Sequence, residues 1–367
     1  MKTIIYKIVK WLCSMRPINK GTILIIESSF PSGSNTRPLV QPLKQNYDVD
    51  VYPSEEIFFD RHTTTDYIKY ISALLKMSSY EVIISSHGIN KLNPKQTMIE
   101  LWHGIPLKSM MYMEHDSRIY DPEGFNTDYL ITSSKLESTL LAACMHIPFA
   151  NHHILGSPRT DYLLQQKDNN ITDQFHDFDK VLLYVPTYRT GYQNRVEGDG
   201  ALDLILDERF IQYIEDHSYL LVVKLHPLEE NEIHTIVHTP HIMFLTNEKL
   251  LESHLDFYQI LYQADLLITD YSSIYFDYLL TNNPIVFINQ DFKQYSEVRG
   301  FLLEPYEHWT PGENVTTTAE VIQAIQRAFD QDDYASERER LKNIFFHHQD
   351  GRSVQRVVNL VEEIMKK

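Results

Sequence analysis

The chain of 367 residues is short of cysteine, of long apolar runs, of glycine-rich loops and of positive charge. Its two cysteines, Cys13 and Cys144, carry no metal-site spacing, and a chain this long needs no disulfide to fold, so a reducing compartment is the default expectation. No run of roughly 18 apolar residues occurs, which excludes a bilayer-spanning helix. The patterns GxGxxG and GxxxxGK[ST] are both missing, which argues against dinucleotide and P-loop enzymes, and no His-x-Glu-x-x-His spacing suggests a metal. Lys and Arg total 33 against 50 Asp and Glu, a net charge of −17. Non-specific binding to nucleic acid needs a basic face, so no nucleic-acid partner is expected, and an anionic ligand must be held by a local site.

What is present is ordinary globular material. Hydrophobic residues make up 43% and charged residues 23%, and the length suggests about two domains, each with its own core. Residues 1–20 form a basic amphipathic segment. At helical spacing Ile4, Ile5, Ile8, Val9, Trp11, Leu12 and Met15 fall on one half, with Lys2, Lys7 and Lys10 on the other, and the helix is expected to end near Arg16-Pro17. The lysines interrupt any secretory apolar core and no small-residue cleavage site follows, so the segment is expected to be retained. Two readings stand: residues 1–16 lie on an anionic membrane surface, or the helix packs on the adjoining domain.

From residue 22 onward, short apolar runs alternate with segments of helical period. Strands are expected at 23–26, 49–52, 82–84, 98–102, 129–132 and 153–155, and again, after a polar linker at 165–179, at 181–185, 220–225, 242–245, 266–269 and 285–288. Helices are expected between them, for example at 67–77, 135–145, 202–216, 257–263, 273–280 and 318–329. The pattern is α/β, with two doubly wound parallel domains at 21–165 and 175–350 and a final helix at 351–367. Ligands of such folds sit outside the carboxyl ends of the strands.

Chemistry-bearing residues fall at several of those ends. His103, in Trp-His-Gly-Ile-Pro-Leu-Lys, follows a strand and precedes a glycine turn, with Lys108 one turn further on; a histidine so placed can take a proton from a hydroxyl near neutral pH. His226 closes a strand in the second half in the same way, while most of the other histidines read as surface residues. Asp270, Ser272 and Ser273 lie between a buried strand and a helix, where free N–H groups and hydroxyls suit a phosphate. Thr187 and Arg189, of the segment Tyr-Val-Pro-Thr-Tyr-Arg, and Arg299, of Arg-Gly-Phe, add polar and forked donors that gain meaning only beside that site.

These segments, together with Asp-Tyr-Leu-Ile-Thr-Ser-Ser at 128–134, Gly-Ser-Pro-Arg-Thr-Asp at 156–161 and Lys-Leu-His-Pro at 224–227, occur in one order over about two hundred residues. In this the chain resembles the CDP-glycerol glycerophosphotransferase family of teichoic acid and capsule synthesis. The resemblance implies a GT-B architecture, two Rossmann-like domains facing across a cleft, with no cofactor and no metal. It implies peripheral attachment to the cytoplasmic face of the cell membrane. It also implies transfer of an alditol phosphate, glycerol phosphate first, from a CDP-alditol donor to a hydroxyl of a lipid-linked or polymeric cell-wall or capsule acceptor, releasing CMP. By the same resemblance His103 is the base, His226 a second essential histidine, and Asp270, Ser272 and Ser273 the donor-phosphate motif.

The sequence departs from the family at three places. Ile105 stands where the family usually has threonine, Tyr188 where it has tryptophan, and the segment from Glu27-Ser28 through Asn35 keeps little else of its pattern. Glu27, Ser28, Asn35 and Lys108 are assigned to the acceptor side, so the acceptor, and with it the alditol, is expected to depart from the common case. Two alternatives share the fold: a GT-B glycosyltransferase using a nucleotide sugar, and a CDP-ribitol ribitolphosphotransferase.

Overall fold

The computed structural model describes residues 2–57, 62–114, 125–165, 169, 171–187, 200–226, 229–230 and 239–367, with side chains from residue 8 in the first helix and from residue 203 in the helix beginning at 200. The chain divides into two compact units. Met1–His103, Arg118–Asp161 and Asp350–Lys367 form the first, and Gly104–Ser117 with Tyr162–Gln349 the second.

The first unit is built on six strands: β1 (Asn19–Glu27), β2 (Asp48–Pro53), β3 (Tyr80–Ser85), β4 (Thr97–Glu100), β5 (Tyr129–Thr132) and β6 (His152–Ile154). They are parallel and run in the order β2-β1-β3-β4-β5-β6. Ile23, Leu24, Ile25 and Ile26 of β1 are all fully buried, because helices cover both faces and a parallel strand then reads as an unbroken apolar run. The chain leaves β1 for β2 on one side and returns to β3 on the other, so the direction of winding reverses between β1 and β3. A crevice opens at such a reversal, beyond the carboxyl ends of the strands.

The second unit repeats the plan with β7 (Lys180–Val185), β8 (Tyr219–Val223), β9 (Ile242–Phe244), β10 (Leu266–Thr269), β11 (Ile285–Ile288) and β12 (Glu313–Val315), in the order β12-β11-β10-β7-β8-β9. All pairings are again parallel, and the reversal falls between β7 and β10.

Several elements differ from the sequence expectation. The helix expected at 202–216 is two helices, Gly200–Leu206 and Glu208–Asp216, because the Asp207 carboxylate accepts the Arg209 N–H at 2.9 Å and starts a new helix. Helix Arg37–Lys44 was not anticipated, its pattern being obscured by Pro38 and Pro42, yet it buries Leu39, Val40 and Leu43. The short β12 and helix Ala335–Phe345 were also missed. The segment 351–367, set apart in the sequence reading, belongs to the first unit. Helix Ser353–Met365 buries Val357, Val358 and Val361 in that core, and Asp161 accepts its Ser353 and Val354 N–H groups at 2.9 and 2.8 Å.

The first helix, Lys2–Met15, places Val9 and Cys13 in the core beside Leu74 and Met77 of helix Thr64–Met77. Its other side is open: Ile8, Trp11, Leu12 and Met15 are 51%, 59%, 40% and 63% exposed. Among the described residues no helix is long and apolar enough to cross a membrane.

Candidate active site

In the first unit, the register of β3 against β4 sets Ser85 opposite Glu100. The loops that follow, 86–89 and 101–103, therefore leave the sheet side by side. Glu100 is fully buried and ties them together, accepting the Trp102 N–H on Oε1 at 2.9 Å and the Gly88 N–H on Oε2 at 3.0 Å. Burial pushes its carboxyl up to about 7, against the pull of those N–H groups.

Trp102 has φ +53°, a left-handed conformation that costs a bulky residue on the order of 1–3 kcal/mol unless its surroundings fix it. They do so from both sides, since Glu100 holds its N–H and Asn35 Nδ2 donates to its carbonyl at 2.9 Å. The turn leaves one edge of His103 exposed while the rest of the ring packs against Ser86, His87 and Trp102. Its Nδ1 lies 2.9 Å from the Ser86 carbonyl. A carbonyl only accepts, so Nδ1 carries the proton and Nε2 keeps its lone pair. Burial against its neighbours, the His87 ring and the Arg159 charge together hold the imidazole below the ordinary histidine range, with the Ser86 bond opposing them. His103 is therefore a neutral base at physiological pH.

Asn35 and Arg159 hold this turn in place. Asn35 Oδ1 accepts from Ser157 Oγ at 2.7 Å and from the Arg159 N–H at 3.0 Å, while Arg159 Nη1 donates to the carbonyls of His103 at 2.8 Å and Gly33 at 3.2 Å. Glu27, placed on the acceptor side by the sequence, spends both oxygens on its own loop. Oε1 accepts the Ser29 and Phe30 N–H groups, each at 2.9 Å, and Oε2 accepts Ser34 Oγ at 2.6 Å and Thr36 Oγ1 at 2.7 Å. Its part is to shape the 28–36 loop. The Ser28 hydroxyl is buried with no hydrogen-bond partner among the described residues.

In the second unit, Asp270 follows β10 and Thr187 follows the adjacent β7. The Asp270 carboxylate is buried and accepts both the Thr187 N–H at 2.9 Å and its Oγ1 at 2.6 Å on Oδ1. Asp270, assigned by the resemblance to the donor-phosphate motif, here fastens the loop after β7 to the end of β10. Ser272 and Ser273 are half-buried, and their hydroxyls make no hydrogen bond among the described residues. The helix they introduce, Ile274–Tyr278, is one turn of α followed by a 3-10 turn at Leu279–Thr281, so the open donors there are local N–H groups and hydroxyls more than a long dipole.

Lys108, expected on the acceptor side, belongs to the second unit, where it pairs antiparallel with Phe301. Leu107 O accepts the Leu302 N–H at 2.9 Å, Gly300 O accepts the Ser109 N–H at 3.1 Å, and the Lys108 ammonium lies 5.8 Å over the Tyr295 ring. The physical reason is apolar: Ile105 and Leu107 are buried, and Phe301 joins Tyr271, Tyr295 and Tyr306 in one aromatic cluster behind Asp270. Arg299, in the same turn, lies 3.7 Å from Glu114.

His226 is exposed beyond β8. Partial burial and the charges of Lys224 and Lys108 hold its ring below the usual histidine range, with Glu230 acting the other way. Lys224 itself is buried and donates to Glu230 at 2.8 Å and to the Leu225 carbonyl at 3.0 Å. Arg189 lies outside the described residues. The second unit thus brings Lys108, His226, Ser272, Ser273 and Arg299 to the loops around its sheet. Glu100 and His87 went unnamed in the sequence analysis; His87 follows an apolar strand as His103 does, and that position was the available signal. Among the described residues no group of three His, Cys, Asp or Glu side chains is placed to hold a metal ion.

Comparison with known proteins gives these sites a context. A family model described as CDP-Glycerol:Poly(glycerophosphate) glycerophosphotransferase matches residues 43–363. The chain is 26% identical over 363 residues to the teichoic acid ribitol-phosphate polymerase TarK of Staphylococcus aureus, covering 92% of this chain and 67% of that protein. It is 27% identical over 313 residues to the teichoic acid glycerol-phosphate primase of Bacillus subtilis, covering 81% and 77%. A match to the poly(glycerol phosphate) polymerase of Bacillus subtilis takes in 97% of this chain but 50% of that protein. Among solved structures, the wall teichoic acid polymerase TagF superposes with a TM-score of 0.76 at 19% identity, covering 100% of this chain and 95% of that one. Staphylococcus aureus MnaA bound to UDP superposes with a TM-score of 0.57 at 16% identity, covering 95% and 97%. At these identities the structural likeness shows the fold, which is of the GT-B class.

Proposed function

The chain belongs to the CDP-glycerol:poly(glycerophosphate) glycerophosphotransferase family, and from that premise we propose that it transfers an alditol phosphate from a CDP-alditol to a hydroxyl of a teichoic-acid-type acceptor, lipid-linked or polymeric, releasing CMP. The observation that carries this reading is His103: its Nδ1 proton is committed to the Ser86 carbonyl, which leaves Nε2 to receive the acceptor's hydroxyl proton. The acceptor oxygen then bonds to the β-phosphorus, the anhydride bond to the α-phosphate breaks, and its electron pair leaves with CMP. Phosphoryl transfer asks mainly for positioning and charge stabilisation. Ser272, Ser273, Lys108, His226 and Arg299 are assigned to the pyrophosphate, with Thr187 and Asp270 shaping the loop beside them.

Glycerol phosphate is the first choice of transferred group, supported by the family description. Ribitol phosphate is the second, supported by the similarity to TarK, which is named for it. The protein is further assigned to the cytoplasmic face of the membrane, held at an anionic lipid surface by the open apolar side of its first helix, a reading supported by the exposure of Ile8, Trp11, Leu12 and Met15.

Incubation with CDP-glycerol and with CDP-ribitol, each with short polyol-phosphate acceptors, and measurement of CMP release separates the donors. A nucleotide-sugar glycosyltransferase would instead release a nucleoside diphosphate from a sugar donor. Base catalysis contributes typically ~10²–10⁴ in rate. His103→Ala should therefore lose turnover by at least ~10² with its melting temperature unchanged, and near-normal turnover in that variant would overturn the assignment.

A further inference from the structure

The loop after β3 carries a second histidine that the reaction above does not use. His87 and His103 stack with ring centroids 4.4 Å apart and planes 15° from parallel. Both rings hang on one residue: the Ser86 carbonyl accepts from His103 Nδ1 at 2.9 Å, and the Ser86 hydroxyl lies 3.0 Å from His87 Nδ1. The Trp102 ring also contacts His103, at 4.0 Å between centroids. The loops bearing the two histidines are fastened to each other through the buried Glu100 carboxyl. The stack is thus fixed at both backbones and at Ser86, which two exposed histidines meeting by chance would not be.

We propose that His87 is a positioning residue for His103, holding the imidazole plane in place and keeping the ring uncharged until it accepts the substrate proton. The inference rests on the reading of His103 as the base. Two imidazoles at this separation cannot both take up a proton without strong repulsion, so they titrate as a pair. The charged and titratable groups around His103 in its own unit are His87 at the end of β3, Glu100 at the end of β4, Arg159 on the turn Pro158–Thr160, and Glu27, which acts on His87 from the end of β1. Burial, His87 and Arg159 all oppose charge on His103, and only the Ser86 bond favours it. Removing His87 relieves both the burial and the like charge, so His103 should protonate at higher pH.

The test uses the full chain. The pH dependence of kcat/KM with CDP-glycerol is measured for wild type, His87→Ala and His87→Phe, and the His103 ring is titrated by NMR in the same proteins without substrate. In His87→Ala the acid limb and the NMR midpoint should both move to higher pH, kcat on the plateau should fall by about tenfold through lost orientation, and KM for the donor should change less than about twofold. Phenylalanine keeps the stacked face and removes the charge, so His87→Phe should recover most of the plateau kcat with a smaller shift of the limb. A lowered melting temperature with the acid limb and the NMR midpoint unmoved in both variants means a merely structural residue and overturns the proposal. His103→Ala in parallel separates the two ideas. If it keeps turnover, the base reading falls and takes the catalytic role of His87 with it. If it loses turnover while His87→Ala titrates as wild type, only the role of His87 falls.

Discussion

Glu100 offers a prediction whose size can be worked from the structure. Its side chain is fully buried and its carboxyl is pushed from about 4.5 up to about 7. The folded chain therefore holds this proton at higher pH than the unfolded chain does. The associated stability is fully present below about pH 4.5 and is lost as pH rises through about 7. With no solvent exposure to screen it, a rise of that extent corresponds to ~3 kcal/mol once the group is ionised. Glu100→Gln keeps the shape and cannot titrate. One amide oxygen can still accept from Trp102, but the NH2 faces the Gly88 donor, so a pH-independent loss of ~1 kcal/mol is expected.

The assay is unfolding of wild type and variant across pH 4.5–8.5, with Trp102 fluorescence isolated by replacing the other tryptophans with phenylalanine. The difference between the proteins, not either curve alone, carries the information, because groups far from Glu100 cancel. Wild type should be the more stable protein near pH 5, and its advantage should shrink and reverse by about pH 8, a total change of ~3 kcal/mol. Parallel curves over that range would refute the reasoning, since they would mean that Glu100 titrates alike in the folded and unfolded chain.

Two further outcomes are expected. Tyr275 is fully buried and its hydroxyl has no hydrogen-bond partner among the described residues, so Tyr275→Phe should leave stability unchanged or raise it by up to ~1 kcal/mol, read by denaturant unfolding; a loss above that would reveal a bond to the hydroxyl. The double variant Ile8→Ser with Trp11→Ser should weaken binding to phosphatidylglycerol vesicles by tenfold or more, each apolar side chain being worth roughly 1.5–3 kcal/mol on burial, and should leave the melting temperature unchanged because both residues are exposed. Unchanged vesicle binding would remove this helix face as the anchor.

The strands were legible because parallel strands covered on both faces must be apolar throughout, as in Ile23–Ile26 and Leu266–Thr269, and local sequence records that directly. The helices that went unseen are those whose local signal is contrary or weak: Arg37–Lys44 holds two prolines, and Ala335–Phe345 is mostly polar, burying Leu341 and Phe345 beside the inward-turned Arg338. Tertiary packing overrides propensity at both. Residues at strand ends could be named as chemical candidates, but their roles depended on what they faced. Glu27 was assigned to the acceptor side and Asp270 to the donor phosphate, and the sequence did not show that each accepts hydrogen bonds from donors of its own unit.

By itself, then, the sequence determined the alternating α/β plan, the repetition of that plan in two halves, and the positions where chemistry-bearing residues leave the sheets. Hydrophobic periodicity and turn residues are local properties, so they are written in adjacent positions. Only the tertiary structure decided that Gly104–Ser117 joins the second unit, that helix Ser353–Met365 completes the first, and that His87 lies on His103. Those facts follow from strand register and from which apolar surfaces meet through space. The one-residue alignment of Ser85 with Glu100 is what brings the two histidine loops together, and nothing in either segment alone encodes it.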